Sequence, residues 1–241
     1  MTTMTHKFAF MVTSAINTKF GVYNNEQRLQ QTLDTVASIK KYVPTAKIYL
    51  VECGAIALTE AQETVLTDAV DEIINFNNDE DVQAIFVSDN WDVVKNTTEV
   101  MCFRRALQHC LDYNLFDGIE RVFKMSGRYR LNDNFDPAQY VMAPHSIVTT
   151  HRHTSQFPYH VTLVQYQYMS RLWSWPATIT QRIIDEVYDA GLNYMAERIS
   201  QGGYCDIEHM LYKFLPADLI LEVAKVGLEG NIGPNGATVS D

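Results

Sequence analysis

The stretch Arg121-Val122-Phe123-Lys124-Met125-Ser126-Gly127-Arg128-Tyr129 decides how this chain is interpreted. It opens on β-branched and aromatic residues, which predict a short buried strand. It then turns polar, and its polar end should lie at the carboxyl end of that strand, where open α/β sheets bind ligands. Two cations beside a glycine predict a site for a phosphate or diphosphate, since a backbone without Cβ allows close approach. The alternative is a strand that leaves the sheet in an ordinary solvated turn.

The first half of the chain alternates strand and helix patterns. A continuous apolar run at 8–12 is typical of a strand buried on both faces, and apolar residues at helical spacing predict a helix over 26–42, capped by Asn25. The next elements expected are a strand over 46–51, a helix over 60–69 and a strand over 72–76. This order predicts an α/β fold with a Rossmann-like, mostly parallel central sheet flanked by helices.

The second half mixes helices with shorter strands. The acidic stretch 77–90 is expected to be irregular. The elements predicted after it are a helix over 94–113, strands over 146–150 and 161–169, a helix from Pro176 to about 200, a short helix over 206–214 and a strand over 219–226. Residues 227–241 are rich in glycine and predict a flexible tail or a lid. No linker composition divides the chain, so we expect a single domain over 1–241.

Composition argues against several classes of protein. The 241 residues carry a formal net charge of −10, which argues against broad binding to nucleic acid or to anionic membranes. The four cysteines form no C-x-x-C pair, which is typical of a reducing compartment. No stretch approaches the ~20 apolar residues that a membrane helix needs, and no signal-peptide pattern is present. The expected location is the cytoplasm.

The common nucleotide-binding motifs are missing. Neither the dinucleotide fingerprint G-x-G-x-x-G nor a P-loop is found, which weakens dehydrogenase and P-loop interpretations. The stretch Lys95-Asn96-Thr97-Thr98-Glu99 instead lies at a predicted helix start, where free backbone N–H groups and the helix dipole favour an anion. Lys95 would add positive charge there. Helix capping by Asn96 and Glu99 explains the same residues without a ligand.

A second polar group, Asp206-Ile207-Glu208-His209, begins the short helix over 206–214. Asp206 or Glu208 could accept a proton from a hydroxyl group, and His209 could assist. The alternative is that Asp206 caps the helix and Glu208 is solvated. We treat Asp206, Glu208 and His209 as the candidate catalytic residues.

Taken in this order, these pieces resemble a nucleotide-diphospho-sugar transferase of the GT-A fold. In particular, the chain resembles small glycosyltransferase-like proteins of bacteria and viruses that carry a Lys-x-Ser-Gly-Arg-Tyr stretch. The similar segments are 12–16, 27–28, 49–52, 95–99, 123–129, 208–209 and 230–236. The resemblance implies a single-domain GT-A-like fold, with a nucleotide-binding half at about 1–115, an acceptor half at about 116–226 and a tail or lid at about 227–241.

The resemblance also implies a donor site. The residues expected to bind the nucleotide sugar are Thr13, Ser14, Arg28, Glu52, Lys95, Glu99, Lys124, Ser126, Gly127, Arg128 and Asn231. In that family an Asp-x-Asp motif holds a divalent cation, Mn²⁺ or Mg²⁺, on the diphosphate. Here that place reads Lys124-Met125-Ser126. The departure puts a bound cation in doubt and implies that protein cations take its place, so we assign no metal ligands.

The function implied is that of a hexosyl- or pentosyltransferase, which moves a sugar from a nucleotide-diphosphate donor to a hydroxyl acceptor, expected to be a glycan. Lys124 and Arg128, with Lys95, would stabilise the departing diphosphate, and Asp206 or Glu208 would act as base in an inverting reaction. Two alternatives stay open. One is a transferase acting on modified bases in DNA, which the net charge disfavours, and the other is a non-catalytic nucleotide-sugar-binding domain. A viral protein of this kind would act in the host cytoplasm.

Overall fold

The described strands form one large central sheet and two small sheets in the structure, a computed structural model that describes residues 7–231 and 237–240. They are β1 (Phe8–Ser14), β2 (Lys47–Glu52), β3 (Glu72–Asn75), β4 (Arg121–Ser126), β5 (Tyr129–Leu131), β6 (Ile147–Thr150), β7 (His153–Thr154), β8 (Tyr166–Gln167), β9 (Leu172–Pro176), β10 (Ile220–Val223), β11 (Leu228–Asn231) and β12 (Thr238–Ser240). Within the described residues the order β10-β6-β9-β4-β1-β2-β3 forms the central sheet, and β9 runs antiparallel to β4 and β6 while the other neighbours pair in parallel. The prediction of a mostly parallel sheet is confirmed.

Helices cover both faces of this sheet. They are α1 (Asn25–Tyr42), α2 (Glu60–Ala69), α3 (Glu80–Phe86), α4 (Thr98–Asp112), α5 (Pro137–Val141), α6 (Tyr159–Thr162), α7 (Thr180–Arg182), α8 (Ala190–Ser200) and α9 (Ile207–Phe214). Two π-helical segments, Val93–Thr97 and Ile183–Asp189, continue directly into α4 and α8. In the described part of the chain, no helix combines the length and the apolar character needed to cross a membrane.

Side-chain alternation along β1 divides the core into two layers. Ala9 and Met11 belong to the cluster that contains Phe103 of α4, whereas Phe10 belongs to the cluster that contains Ile39 of α1. Both faces of the strand are covered, and every residue of β1 is buried. This double burial explains why the sequence there is a continuous apolar run instead of an alternating one.

The strand predicted over 161–169 is wrong. Its first residues belong to α6, which is followed by Leu163 in a left-handed backbone conformation (φ 54°), and only the two residues of β8 are extended. The missed strand is β9, Leu-Trp-Ser-Trp-Pro, which is buried throughout. Its alternating indoles pack well on a pleated surface, and Pro176 ends the strand while helical structure begins at the next residue.

Three local predictions also change. Asn24, and not Asn25, caps α1, because its side chain accepts from the N–H of Gln27 while the Gln27 side chain accepts from the N–H of Asn24. The acidic stretch 77–90 contains α3, capped by Asp79. The glycine-rich stretch contains β11 and β12, which join β5 in a small antiparallel sheet, while residues 232–236 of the predicted lid lie outside the described residues.

Candidate functional site

A cavity opens at the carboxyl ends of β1, β2 and β4, and it encloses about 970 Å³ including its open mouth. Parallel strands end at the same edge of a sheet, so segments far apart in sequence meet here. The predicted donor-binding residues that line the cavity are Thr13, Ser14, Arg28, Lys95, Glu99, Ser126, Gly127 and Arg128.

Three of the lining side chains are cations that form no ion pair within the described residues. Arg28 donates through Nε to the carbonyl of Ala15 at 3.1 Å, and Nζ of Lys95 lies 5.3 Å from the ring centre of Trp91. Nε of Arg128 is buried without a hydrogen-bond partner. Burial, together with the nearby charge of Arg128, lowers the pKa of Arg28 to about 10. A bound diphosphate would supply the negative charge that these three groups lack.

Lys124 contacts the protein instead of the cavity. Its ammonium is fully buried and donates to Oε1 of Glu99 at 2.8 Å, to Oγ of Ser126 at 2.9 Å and to the carbonyl of Ser170 at 2.9 Å. An ammonium has three N–H donors, so none remains for a ligand. This geometry corrects the prediction that Lys124 binds the diphosphate directly: Lys124 supports the wall of the cavity from behind.

Glu99 is the anionic partner of Lys124. Its Oε1 also accepts from the hydroxyl of Thr13 at 3.0 Å. Burial alone would raise the pKa of Glu99, but the charge and hydrogen bond of Lys124, with Lys95 and Arg128 nearby, lower it to about 2. Glu99 is therefore ionised at neutral pH, and the bond from Lys124 offsets its charge.

Glu52 also lies behind the wall and not in it. Its side chain is fully buried, with Oε2 accepting from the hydroxyl of Ser14 at 2.5 Å and Oε1 accepting from the N–H groups of Ile16 and Gly54, each at 3.1 Å. Burial raises the pKa of Glu52, against the opposite effect of these hydrogen bonds. The carboxyl group holds the loop after β1, so the prediction that it contacts the donor is corrected.

Gly127 has a packing role that the sequence did not indicate. Its N–H donates to the carbonyl of Thr13 at 2.8 Å, so this donor is not free for an anion. A Cβ at this position would lie 3.0 Å from that carbonyl and 3.1 Å from Oγ1 of Thr32. The absent side chain therefore lets the turn after β4 lie close to β1 and α1. Asn231, predicted to bind the donor, is half-buried on β11 and does not line the cavity.

Two of the three candidate catalytic residues are buried and support α9, and the third is a half-buried carboxylate. Asp206 caps α9: its Oδ1 accepts from the N–H of His209 at 3.0 Å and lies 2.5 Å from Nδ1 of the same ring. Nε2 of His209 lies 2.7 Å from Oγ of Ser155. Asp206 and His209 are buried, whereas Glu208 is only half-buried and accepts from Oγ of Ser170 at 2.5 Å. Burial and the neighbouring Asp206 raise the pKa of Glu208, against the lowering effect of Lys95.

Aromatic side chains at the mouth of the cavity were missed. They are Phe20, Tyr23, Phe86 and Trp91, which lie on the loop after β1 and around the end of α3. Nζ of Lys19 joins these two segments by bonding to the carbonyls of Phe86 at 3.4 Å and Ser88 at 3.1 Å. Planar rings at a mouth of this kind can stack on a nucleobase. The available signal was the presence of these aromatic residues in or next to the stretches 18–25 and 77–90, which the sequence predicts to be irregular.

A metal site of the Asp-x-Asp type does not fit the donor set found here. At the corresponding end of β4 stand the buried ammonium of Lys124 and the hydroxyl of Ser126. Over residues 7–231 and 237–240, no group of three or more His, Cys, Asp or Glu side chains is placed to hold a metal ion.

Known structures resemble this chain in fold, although no protein-family model and no curated protein matches the sequence. The structure of galactosyltransferase LgtC, solved in complex with donor and acceptor sugar analogs, superposes with a TM-score of 0.57 at 9% identity, covering 90% of this chain and 73% of that chain. Core-mannan synthase A (CmsA/Ktr4) from Aspergillus fumigatus, in its Mn/GDP form, gives a TM-score of 0.49 at 10% identity, covering 92% of this chain and 73% of that one. The likeness to LgtC, together with the strand order and the cavity at the carboxyl edge, gives this chain the GT-A fold that its sequence predicts.

Proposed function

We propose that this protein is a glycosyltransferase that takes a sugar from a nucleotide-diphosphate donor and transfers it to a hydroxyl group of a glycan. The observation that carries the proposal is the set of three cations, Arg28, Lys95 and Arg128, that line a GT-A cavity and form no ion pair among the described residues, while Glu99 beside them is paired with Lys124. Burial and the charge of Arg128 lower the pKa of Arg28, so these cations are held at a cost that a bound anion would offset. The sugar acceptor bound in the LgtC structure motivates a glycan as the acceptor.

Each residue has a distinct role in the proposed reaction. Arg28, Lys95 and Arg128 neutralise the diphosphate as its bond to the sugar breaks, which is the work that the metal ion does in Asp-x-Asp enzymes. Glu208 accepts the proton of the attacking hydroxyl group. Asp206 is excluded from that role because it is buried and its carboxylate caps α9. Transfer from donor to acceptor then needs no group that this chain lacks.

A thermal-shift screen tests donor binding. UDP-, GDP-, CDP- and ADP-sugars are each added with EDTA and, separately, with Mn²⁺. A ligand present at about one hundred times its Kd should add ~2.7 kcal/mol to the free energy of unfolding. We expect one nucleotide class to stabilise the protein in EDTA, and the same class to stabilise Arg128→Ala much less. Arg130→Ala is the matched control, because Arg130 is an exposed arginine that pairs with Glu229 at 2.9 Å.

The outcomes separate the parts of the proposal. Stabilisation that appears only with Mn²⁺ would reject the metal-free arrangement. A donor effect that is equal in Arg128→Ala and the native protein would place the nucleotide elsewhere. No stabilisation by any donor would reject the function. Transfer to glycans is measured with the stabilising donor by the mass of the products, and Glu208→Gln should lower kcat by about 10²- to 10⁴-fold.

A further inference from the structure

We propose that Ser170 is the positioning residue for Glu208: its hydroxyl group holds one carboxylate oxygen so that the other faces the acceptor. The inference rests on the proposed function and adds a residue that no sequence motif indicates. Oγ of Ser170 donates to Oε1 of Glu208 at 2.5 Å, and Ser170 itself is buried with 7% of its surface exposed.

Main-chain contacts fix Ser170 on both sides. The carbonyl of Ser170 accepts from the buried ammonium of Lys124 at 2.9 Å, and the next carbonyl, that of Arg171, accepts from the N–H of Ser126 at 2.9 Å. Two residues earlier, the N–H of Tyr168 donates to the carbonyl of Glu208 at 3.1 Å. The segment that carries the hydroxyl group is therefore bonded to β4 on one side and to α9 on the other, and it has little freedom to withdraw.

The helix that carries Glu208 is fixed independently. Asp206 caps α9 through the N–H of His209, and the ring of His209 reaches Ser155 near β7. Glu208 lies between these two buried residues and keeps exposed surface. The backbone that carries the Glu208 carboxylate is therefore held.

Titratable groups surround Glu208 from three segments. Asp206 and His209 lie beside it on α9, and Lys95 and Glu99 lie across from it, on the π-helical turn and on α4. Burial and the two carboxylates raise the pKa of Glu208, whereas Lys95 and the bond from Ser170 lower it. Ser170 is the neutral donor in this set, so its removal changes the carboxylate without changing any formal charge.

The step served by this contact is a single displacement. The acceptor oxygen forms a bond to C1 of the donor sugar while the bond from C1 to the diphosphate oxygen breaks. The acceptor proton moves to Glu208, and the nucleoside diphosphate leaves with the electron pair. Oε1 already accepts from Ser170, so Oε2 takes the proton. Because the acceptor oxygen attacks C1 from the side opposite to the leaving diphosphate, the new linkage has the opposite anomeric configuration to the donor.

The test compares three serine variants. Ser170→Ala removes the hydroxyl group, Ser170→Thr keeps one, and Ser174→Ala is the matched control, since Ser174 is a buried serine of β9 that accepts from Arg121 at 3.0 Å. The pKa of Glu208 is followed by ¹³C NMR of labelled glutamate, with the signal assigned from its loss in Glu208→Gln. Ser170→Ala should raise that pKa by about one unit, because a hydrogen bond to a charged group is worth roughly one pKa unit or more. Ser170→Thr and Ser174→Ala should leave it unchanged.

Kinetics supply the second readout. In Ser170→Ala the acid limb of the pH–kcat profile should move up by about one unit and kcat at its plateau should fall about tenfold, while donor affinity stays as in the native protein. Three results would overturn the inference. The pKa of Glu208 could stay unchanged in Ser170→Ala, it could shift equally in Ser174→Ala, or the product could retain the anomeric configuration of the donor. The NMR titration needs no donor. A shifted pKa in a protein that transfers no sugar therefore overturns the function and supports the contact.

Discussion

Lys124 and Arg128 lie four residues apart in one motif, yet the structure uses them in opposite ways. The ammonium of Lys124 is fully buried and donates its three N–H groups to Glu99, Ser126 and Ser170. The guanidinium of Arg128 lines the cavity, and its Nε has no partner. One cation holds the protein together and the other is left for a ligand. The comparison shows that the charge of a motif does not reveal its role, whereas the number of donors still unused does.

The largest expected effect comes from breaking the buried pair. Lys124→Met leaves Glu99 ionised and without its partner, which should lower the free energy of unfolding by about 3–5 kcal/mol. Urea denaturation measures the change. Lys225→Met, at an exposed lysine, should stay within about 0.5 kcal/mol of the native protein. Adding Glu99→Leu to Lys124→Met should recover part of the loss, and a double variant as unstable as the single one would contradict the pairing.

Acid should weaken the same pair. Because the folded-state pKa of Glu99 is about 2, below its ordinary value of 4.5, its contribution is complete above pH 4.5 and is lost as the pH falls towards 2. The 2.5-unit difference corresponds to about 3 kcal/mol. The raised pKa values of Glu52 and Glu208 act in the opposite direction, so the measurement is the stability difference between the native protein and Glu99→Gln. A difference that does not shrink between pH 5 and pH 2 would contradict this assignment.

The free cation should respond in the opposite way to Lys124. Arg128→Lys keeps the charge but removes the planar fork that bonds two phosphate oxygens, so donor affinity should fall about tenfold, or ~1.4 kcal/mol. The free energy of unfolding should change by less than about 0.5 kcal/mol, because the side chain has no hydrogen bond to lose within the described residues. Calorimetric titration with the donor and urea denaturation give the two numbers, with Arg130→Lys as control. If Arg128→Lys lowers the free energy of unfolding but not the donor affinity, Arg128 supports the fold as Lys124 does, and the distinction between them is wrong.

The smallest effect concerns a hydroxyl group in the same cavity. Oγ1 of Thr98 is buried without a partner and lines the site. Thr98→Val has nearly the same shape, so it should leave the unliganded protein as stable as before or slightly more stable. If the hydroxyl group bonds the donor, its loss should weaken binding about fivefold, close to 1 kcal/mol. Calorimetric titration checks this. A variant that binds the donor with unchanged affinity would show that the hydroxyl group of Thr98 does not bond to the donor.

The fold was predictable where periodicity was unambiguous. The run at 8–12 is apolar at every position because β1 is covered on both faces, and the apolar spacing of α1 follows one buried face. Prediction failed between residues 161 and 176, where tyrosines favour a strand locally but Leu163 turns into the left-handed region. The true strand β9 was missed because it is short and the proline that ends it favours a helix start immediately after.

The candidate site was predictable in position but not in detail. Polar residues at strand ends mark the carboxyl edge of a parallel sheet, which places Ser14, Ser126 and Arg128 together. Sequence could not show that Glu52 and Lys124 face inward, because that depends on hydrogen bonds with Ser14 and Ser170, which lie in other segments. Ser170 itself has no local signal, since its role depends wholly on a helix that begins 37 residues later.

The pairing of β5 with β11 delays formation of the anion site until most of the chain has been synthesised. Arg128 immediately precedes β5, whose partner strand is Leu228–Asn231, about a hundred residues downstream, and Arg130 and Glu229 join the two strands at 2.9 Å. Such a long loop must close before the segment next to Arg128 is held. During synthesis the nucleotide would therefore find no complete binding partner until residues beyond 231 had left the ribosome. A tethered nascent chain halted before β11 should fail to retain a nucleotide that the finished chain retains.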